Sequence, residues 1–230
     1  MTLSTEDESF LCWSASPAQM DRFWAEGWRH FGIVFMRYPK AVHGRRDFTV
    51  LPLRIDLVRF HPTRSQKRVL AKNRDARLIV RSSFVDREKE LLFEKHRLRF
   101  DENVPTSLFN FLSTIPGSIP CVNLELCVYL GDRLSGVTFL DVGAQATSAV
   151  YAMFDPAELK RSLGIFMMLQ SIEFSLQRGC RYYYPGYAYR EPFAYDYKKR
   201  FVGLEAFDWI EGWKPFSREE AARNNRATLL

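Results

Sequence analysis

The chain has 230 residues, enough for one large domain or two fused small ones with a buried core. Its hydrophobic fraction of 47% and aromatic fraction of 15% exclude a disordered chain. A formal net charge of +6 and a pI near 9.2 favour an anionic partner, such as nucleic acid or a phosphate-bearing ligand.

Cysteine and histidine spacing argues against a resident metal. The four cysteines contain no Cys-x-x-Cys pair, and the four histidines have no metal-ligand spacing among themselves or with the cysteines. We therefore predict reduced thiols and no metal, iron–sulfur cluster or other cofactor. No apolar stretch approaches the roughly 20 residues that span a bilayer. The first eight residues are acidic where a signal peptide is basic, so we expect a cytoplasmic protein without membrane association.

The first part of the chain alternates helices and strands. Ser16-Pro17 has the N-cap and first-position residues of a helix that we predict to reach Arg29. Strands are predicted over 31–37 and 49–58, separated by a basic loop around His43–Arg46. Residues 63–72 suit a short basic helix, and 86–100 a longer one.

The second part begins after a connection rich in Pro, Ser and Gly over 105–120. Residues 122–129 and 134–142 read as a β-hairpin, followed by a strand over 149–154, a helix over 158–178 and a strand over 182–187. Three antiparallel strands, a helix and another strand resemble the core of N-acetyltransferases of the GNAT type. We predict an α+β, GNAT-like acyltransferase fold in a duplicated (tandem) arrangement, with mixed central sheets flanked by helices. The predicted halves are 1–104, a degenerate GNAT-like half that carries a basic helix, and 105–230, a second GNAT-like half.

A strongly basic segment runs from Arg59 to Arg81, with eight cations against the single acid Asp75. In a helix Arg64, Lys67 and Arg68 would form one stripe, since they are spaced i, i+3 and i+4. Such a stripe suits phosphate contacts to a nucleic-acid backbone, although a solvated surface helix is the simpler interpretation.

The segment from Arg161 to Phe201 combines a loop before a helix with a dense tyrosine cluster. Seven of the ten tyrosines lie between Tyr182 and Tyr197. A helix N-terminus can hold an anion, and aromatic rings beside cations suit a stacked base. In a strand the side chains alternate, so only two or three of these tyrosines can line a pocket.

The chain resembles the arginyl-/leucyl-tRNA–protein transferase family, whose members use aminoacyl-tRNA to aminoacylate protein N-termini. The matching stretches are Leu53–Ile55, Phe60–Asn73, Phe154–Pro156, Arg161–Gly164, Tyr183–Tyr187, Tyr197-Lys198, Arg200-Phe201 and Leu204-Glu205. The resemblance implies that aminoacyl-tRNA replaces acetyl-CoA in a GNAT-like fold. It implies aminoacyl-adenosine binding by Arg161, Ser162, Leu163, Gly164, Tyr184 and Tyr187. It implies tRNA contacts from Arg59, Arg64, Lys67, Arg68, Lys72, Lys198 and Arg200.

Two departures from the family stand out. Members carry metal- or cluster-binding cysteines near the N-terminus and before the second strand, but here only Cys12 is near the first position and 41–47 has none. In the glycine-tyrosine motif, Pro185 replaces the usual Leu. The missing cysteines leave open whether the acceptor is a protein N-terminus or a small amine-bearing metabolite, as in leucyl transfer during antibiotic biosynthesis of the blasticidin type.

An aminoacyl ester is already activated, so positioning and oxyanion stabilisation would supply most of the rate. One carboxylate or tyrosine could accept the proton of the attacking amine, and the acid candidates are Asp141, Asp155 and Glu125. The leading interpretation is a tRNA-dependent aminoacyltransferase that moves Leu or Arg to an amino group. The alternatives are an acyl-CoA-dependent N-acetyltransferase, which needs no surface with eight cations, and a non-catalytic tRNA-binding module.

Overall fold

The computed structural model describes residues 7–100 and 104–216. The helices are α1 (Pro17–Ala25), α2 (Arg64–Lys72), α3 (Arg87–Arg97) and α4 (Leu163–Gln177). The strands are β1 (Glu8–Leu11), β2 (Arg29–Phe31), β3 (Val34–Arg37), β4 (Lys40–His43), β5 (Arg46–Asp56), β6 (Arg77–Ser82), β7 (Asn123–Leu130), β8 (Arg133–Val142), β9 (Ala146–Phe154), β10 (Tyr182–Tyr189), β11 (Leu204–Asp208) and β12 (Gly212–Pro215). Short 3-10 helices cover Leu108–Asn110, Pro156–Arg161 and Ala194–Arg200. None of the helices in these residues is long and apolar enough to cross a membrane.

A mixed nine-stranded sheet forms the centre of the molecule. Its order is β12-β11-β5-β10-β9-β8-β7-β6, and β4 pairs with β5 outside this path. The β9–β10 pair is parallel, whereas the neighbouring pairs are antiparallel. The predicted order of hairpin, strand, helix and parallel strand is confirmed by β7, β8, β9, α4 and β10.

Helices cover both faces of the sheet. Leu140 packs with α4 residues, whereas the preceding Phe139 packs with Leu92 and Phe93 of α3. Because successive residues of a strand face opposite sides, α3 and α4 lie on opposite faces. The predicted α+β class with flanking helices is therefore confirmed.

The predicted boundary at residue 104 falls between α3 and β7, and the sheet continues across it. Strands β5 and β6 come from the first segment, yet β5 lies between β10 and β11 of the second. A separate three-stranded sheet, β1-β3-β2, also belongs to the first segment. The two predicted halves thus share one central sheet instead of each having its own, and the division into halves stays a prediction.

Helix ends follow local chemistry. In α2, Thr63 and Gln66 form a reciprocal capping box, which fixes the start of the basic helix. Helix α1 ends at Ala25, earlier than predicted, because Gly27 has φ +84° and turns the chain into β2. The predicted helix over 158–178 is also interrupted. Ser162 has φ 55° and separates the 3-10 helix Pro156–Arg161 from α4.

Candidate active site

Strands β9 and β10 pair only at their beginnings and then part. Ala146–Ser148 pair with Tyr182–Tyr184, and the ladder ends there. On β9 the register with β8 shifts at Val150, which has no partner residue. On β10 the register with β5 shifts between Tyr183 and Gly186, where Pro185 has no N–H to continue a ladder. We call the resulting opening, around Ala149, Gly186, Tyr187 and Lys198, the β9–β10 fork.

Lys198 lies inside this fork. Its Nζ donates to the carbonyl oxygen of Tyr187 at 3.1 Å and lies 5.1 Å from the centre of the Tyr195 ring. Gly186 has φ +85°, and a methyl group there would lie 3.6 Å from Lys198 Nζ and 3.8 Å from the Ala149 carbonyl oxygen. A glycine is needed here because other residues rarely adopt this backbone conformation.

The environment of Lys198 lowers its pKa to about 7, mainly through burial and further through repulsion from Arg29. Its side chain is half-buried, and it makes no ion pair within residues 7–100 and 104–216. Sequence reasoning assigned Lys198 to tRNA phosphates, but its ammonium group points into the fork. An amine that is partly neutral at pH 7 can accept a proton.

The beginning of α4 offers unoccupied backbone donors. Ser162 precedes the helix without a side-chain cap, and the N–H groups of Ile165 and Phe166 both donate to its carbonyl oxygen. Within the described residues, the N–H groups of Leu163 and Gly164 have no such partner. Gly164 is helical and a methyl group there would meet Phe154 at 3.4 Å, so the left-handed residue of this turn is Ser162, not Gly164.

The basic helix α2 lies directly against this turn. Arg161 donates to both carboxylate oxygens of Asp75 at 2.8 and 2.9 Å. Asn73 donates to the Arg161 carbonyl oxygen at 2.9 Å, and Lys72 donates to the Lys160 carbonyl oxygen. The Arg161 guanidinium thus holds the two segments together.

The cations of α2 face solvent. Arg64, Lys67 and Arg68 are exposed and make no ion pair in the part of the chain that the structure describes. Arg200 is exposed and its carbonyl oxygen accepts from Gln66 at 3.4 Å, which brings it beside α2. Arg59 is 55% exposed and lies 3.9 Å from a carboxylate oxygen of Glu205. These residues and Lys72 form one cationic surface next to the first turn of α4.

The three acid candidates lie in structural networks. Asp141 is buried and is hydrogen-bonded to His30 and to Asn123, both at 2.7 Å. Glu125 is fully buried, with one carboxylate oxygen 2.6 Å from Arg81 Nε and 3.1 Å from Lys89 Nζ.

Asp155 caps the 3-10 helix that follows β9 and lies 3.2 Å from both Lys95 and Arg133. Burial alone would raise the pKa of Asp155, but the Ala157 N–H and the two cations lower it below its usual value. None of these contacts links the three acids to the fork.

The two predicted pocket tyrosines differ in position. Tyr184 packs between Trp24 and Trp213, with ring centres 5.8 and 5.6 Å away, and burial raises its pKa to about 12. Tyr187 lies at the fork, and its hydroxyl donates to the Gly27 carbonyl oxygen at 2.7 Å. Both are buried, but only Tyr187 contacts Lys198.

A buried cluster of potential metal ligands surrounds Asp141. One atom each of His30, Cys121 and Asp141 lies within 4.8 Å of the others. Both ring nitrogens of His30 are already in hydrogen bonds, to Asp141 and to the Gly32 carbonyl oxygen. A metal would bind only after the His30–Asp141 hydrogen bond opened, and the absence of a resident metal stays a prediction.

Comparison with known proteins identifies the family. A family model for the C terminus of arginine-tRNA-protein transferase (ATE_C) matches residues 58–208. An aspartate/glutamate leucyltransferase from Xanthomonas euvesicatoria pv. vesicatoria is 34% identical over 168 residues, which cover 69% of this chain and 66% of the relative. One from Stenotrophomonas maltophilia (strain K279a) is 31% identical over 201 residues, covering 84% and 78%. The chain thus spans about two thirds of the length of the Xanthomonas relative.

Two solved structures are more weakly similar. The GCN5-related glucosamine N-acetyltransferase region of a fungal multi-domain β-N-acetylglucosaminidase has a TM-score of 0.46 and 12% identity, covering 81% of this chain and 21% of that one. L-PGS from Bacillus licheniformis has a TM-score of 0.43 and 12% identity, covering 81% and 53%. Both TM-scores lie below 0.5, so neither structure says more about this chain.

The matched region contains most of the cationic surface, the beginning of α4, and the β9–β10 fork. Because the family model matches more than half of the chain, the chain belongs to the arginine-tRNA-protein transferase family.

Proposed function

We propose that this protein transfers an amino acid from aminoacyl-tRNA to an acceptor amine and forms an amide bond in the β9–β10 fork. The observation that carries the proposal is the junction of α2 with the first turn of α4. Arg161 and Asp75 join an exposed cationic helix to a helix N-terminus with free N–H groups. A polyanion bound along α2 would therefore deliver its end to the beginning of α4, the helix that follows β9 in the chain.

On the donor side, Arg59, Arg64, Lys67 and Arg68 would contact phosphates of the tRNA acceptor arm without reading sequence. The N–H group of Gly164, together with the dipole of α4, would hold a phosphate near the 3′ end, whereas the neighbouring Leu163 is fully buried. The ester then reaches the fork, where Tyr187 and Lys198 lie. Arg161 acts in this arrangement by orienting the turn.

The chemistry needs one proton acceptor. The neutral acceptor amine attacks the ester carbonyl, a C–N bond forms, and the carbonyl oxygen becomes an oxyanion. Lys198 Nζ, neutral in about half of the molecules at pH 7, takes the proton that the attacking nitrogen loses. The C–O bond to the ribose then breaks, and the ribose oxygen takes a proton to leave as the hydroxyl of tRNA.

The names of the relatives favour leucine as the amino acid and an N-terminal Asp or Glu as the acceptor. Arginine remains the second donor candidate through the family description. A small amine-bearing metabolite, as in antibiotic biosynthesis, remains the second acceptor candidate, because residues 41–47 lack the cysteines found in the family.

An acyl-CoA-dependent N-acetyltransferase is the competing function. The first turn of α4 would suit the pyrophosphate of coenzyme A as well as a tRNA phosphate. The exposed cations of α2 favour tRNA, since a single coenzyme does not need them. A non-catalytic tRNA-binding module would not explain why Lys198 is held inside the fork without a counter-ion.

The test offers the purified protein a panel of tRNAs charged with labelled amino acids, or labelled acetyl-CoA, together with cell extract. We expect label from one charged tRNA to enter the protein or small-molecule fraction as an amide stable to mild alkali. Arg68→Gln should lower this transfer. Transfer from acetyl-CoA but from no charged tRNA would overturn the proposal.

A further inference from the structure

Arg29, the first residue of β2, lies close to the fork, next to the ring of Tyr187. Its guanidinium carbon is 4.3 Å from the centre of the Phe31 ring and 5.0 Å from that of Tyr187. Lys198 donates to the carbonyl oxygen of the same Tyr187. The Arg29 charge also contributes to the lowered pKa of Lys198, so the two cations lie near each other and near the same tyrosine.

Arg29 is a half-buried cation over aromatic rings, unlike Arg77, Arg99 and Arg178, which also lie over rings without an ion pair but are exposed. Arg37, over Trp28, pairs with Glu8, and Arg54, over Tyr182, pairs with Glu205. Arg29 makes no ion pair among the described residues, and its Nε is inaccessible to solvent and has no hydrogen-bond acceptor.

A buried donor of a charged group is costly to leave without a partner. The aromatic rings stabilise the cation through their faces but accept no in-plane hydrogen bond. The two terminal Nη atoms of Arg29 are not among the buried atoms without a partner and make no hydrogen bond within the described residues, so this end of the guanidinium is available to an external acceptor. A second buried polar atom without a partner, the hydroxyl of Tyr151, lies on β9 one residue after the bulge at Val150.

The chemistry of Arg29 favours a carboxylate. A planar guanidinium donates two parallel hydrogen bonds to a carboxylate, a geometry that an ammonium group cannot provide. The tRNA phosphates are assigned to α2 and α4, outside the fork, whereas an anion beside Lys198 would belong to the molecule whose amine reacts there. We propose that Arg29 binds a carboxylate of the acceptor and so selects acceptors that carry an acidic group near the reactive amine.

This assignment rests on the proposed function, because it places the acceptor in the fork. Arg29 would contact the acceptor away from the bond that forms, and so would determine specificity without taking part in the reaction. Both acceptor sources, a peptide N-terminus and a free amino acid, share this chemistry, and the experiment separates them.

The test is equilibrium binding by calorimetry, on the full chain and without tRNA. The probes are the dipeptides Glu-Ala and Gln-Ala, which differ in charge but hardly in shape, and free glutamate. We expect the wild-type protein to bind Glu-Ala at least about tenfold more tightly than Gln-Ala, the scale of one charge-assisted hydrogen-bonded contact. Arg29→Met should bring this ratio close to one by weakening Glu-Ala alone.

The matched control is Arg22→Met, which removes the same charge from an exposed site on α1. It should keep the wild-type ratio. Arg29→Lys keeps the charge but not the two parallel donors, and should keep part of the preference. If Arg29→Met does not fold, as judged by its thermal unfolding, Arg29→Gln is measured in its place with the same expected loss.

An unchanged ratio in a folded Arg29→Met or Arg29→Gln variant would overturn the assignment, and so would a wild-type protein that binds both dipeptides equally or neither. Binding of free glutamate as tight as that of Glu-Ala would assign the site to a small acceptor, and tighter binding of the dipeptide to a chain N-terminus. This binding experiment contains no tRNA, so it does not depend on transfer. If the proposed function were wrong but this assignment right, the protein would still prefer Glu-Ala to Gln-Ala but would transfer no amino acid from charged tRNA.

Discussion

Replacing Lys198 tests the chemistry of the fork most sharply. A lysine with its usual pKa of 10.5 is about 0.03% neutral at pH 7, whereas a pKa of about 7 makes about half of it neutral. The neutral fraction then rises from about 9% at pH 6 to about 91% at pH 8. If Lys198 takes the proton of the attacking amine, the transfer rate should rise about tenfold over this range and then level off.

Lys198→Met should lower the single-turnover rate by about 10²–10⁴, the range typical of a lost general base, and should remove this rise. Lys198→Arg should behave similarly, because an arginine stays protonated. The assay follows amide formation at saturating charged tRNA, with a hydrazide acceptor whose nitrogen is neutral throughout, so that only the enzyme titrates. Lys40→Met on β4 is the matched control, since it removes the same charge from an exposed site. A Lys198→Met variant with wild-type rate and pH profile would refute the assignment.

Five further predictions concern the cationic surface, the two glycines, Asp155 and the cluster at Asp141. Neutralising Arg64 and Lys67 together should weaken the binding of charged tRNA, measured by filter binding, and should reduce the slope of log affinity against log salt concentration by about 1.5. An unchanged slope would show that α2 is a solvated surface helix. Gly186→Ala should strain the backbone at φ +85° by about 1–2 kcal/mol and crowd Lys198, lowering both the melting temperature and transfer. Gly164→Ala, whose new methyl group would only touch Phe154 at 3.4 Å, should keep its melting temperature, and a large drop would contradict the helical assignment. The pKa of Asp155 is lower in the folded than in the unfolded chain. The stability that Asp155 contributes is therefore complete above about pH 4 and is lost as the pH falls through the folded pKa. The free energy of unfolding of Asp155→Asn, measured by urea titration, should depend less on acid pH than that of the wild-type protein. Elemental analysis of the purified protein should find no stoichiometric metal, and one bound ion per chain would show that the cluster at Asp141 is a metal site.

Elements with strong local signals were predictable. The hairpin of β7 and β8 follows from two apolar runs around Gly131-Asp132, and the start of α2 from the capping residues Thr63 and Gln66. Strand β6 was missed, because it lies at the edge of the sheet and its sequence, Arg77–Ser82, mixes polar and apolar residues. Local propensity does not distinguish such a strand from a loop.

The break before α4 could not be read from the sequence. Gly164 was the natural candidate for a left-handed residue, but Ser162 adopts that conformation. The contacts of Arg161 and Asn73, far apart in sequence, fix the turn there. Nothing in the local pattern reports such tertiary contacts.

The composition of the fork depends on contacts between distant segments. Arg29 was assigned to the end of a helix, although Gly27 was a readable sign that the helix stops earlier. Lys198 was assigned with Arg200 to tRNA contacts, and only the packing of the 3-10 helix Ala194–Arg200 against β10 turns it inward. The sequence identified the segments of the site, but not which of their side chains meet.

The most direct test of amide formation from aminoacyl-tRNA uses purified components only. The protein is incubated with leucyl-tRNA labelled in the leucine and with the acceptor Glu-Ala, and both the ester lost and the amide formed are measured over one turnover. We predict one leucyl amide, identified by mass, for each ester consumed above the uncatalysed background. Two results would contradict the account: ester loss that yields only the free amino acid, or no ester loss above background. Either result would have to hold for leucyl-tRNA and for every other charged tRNA tried.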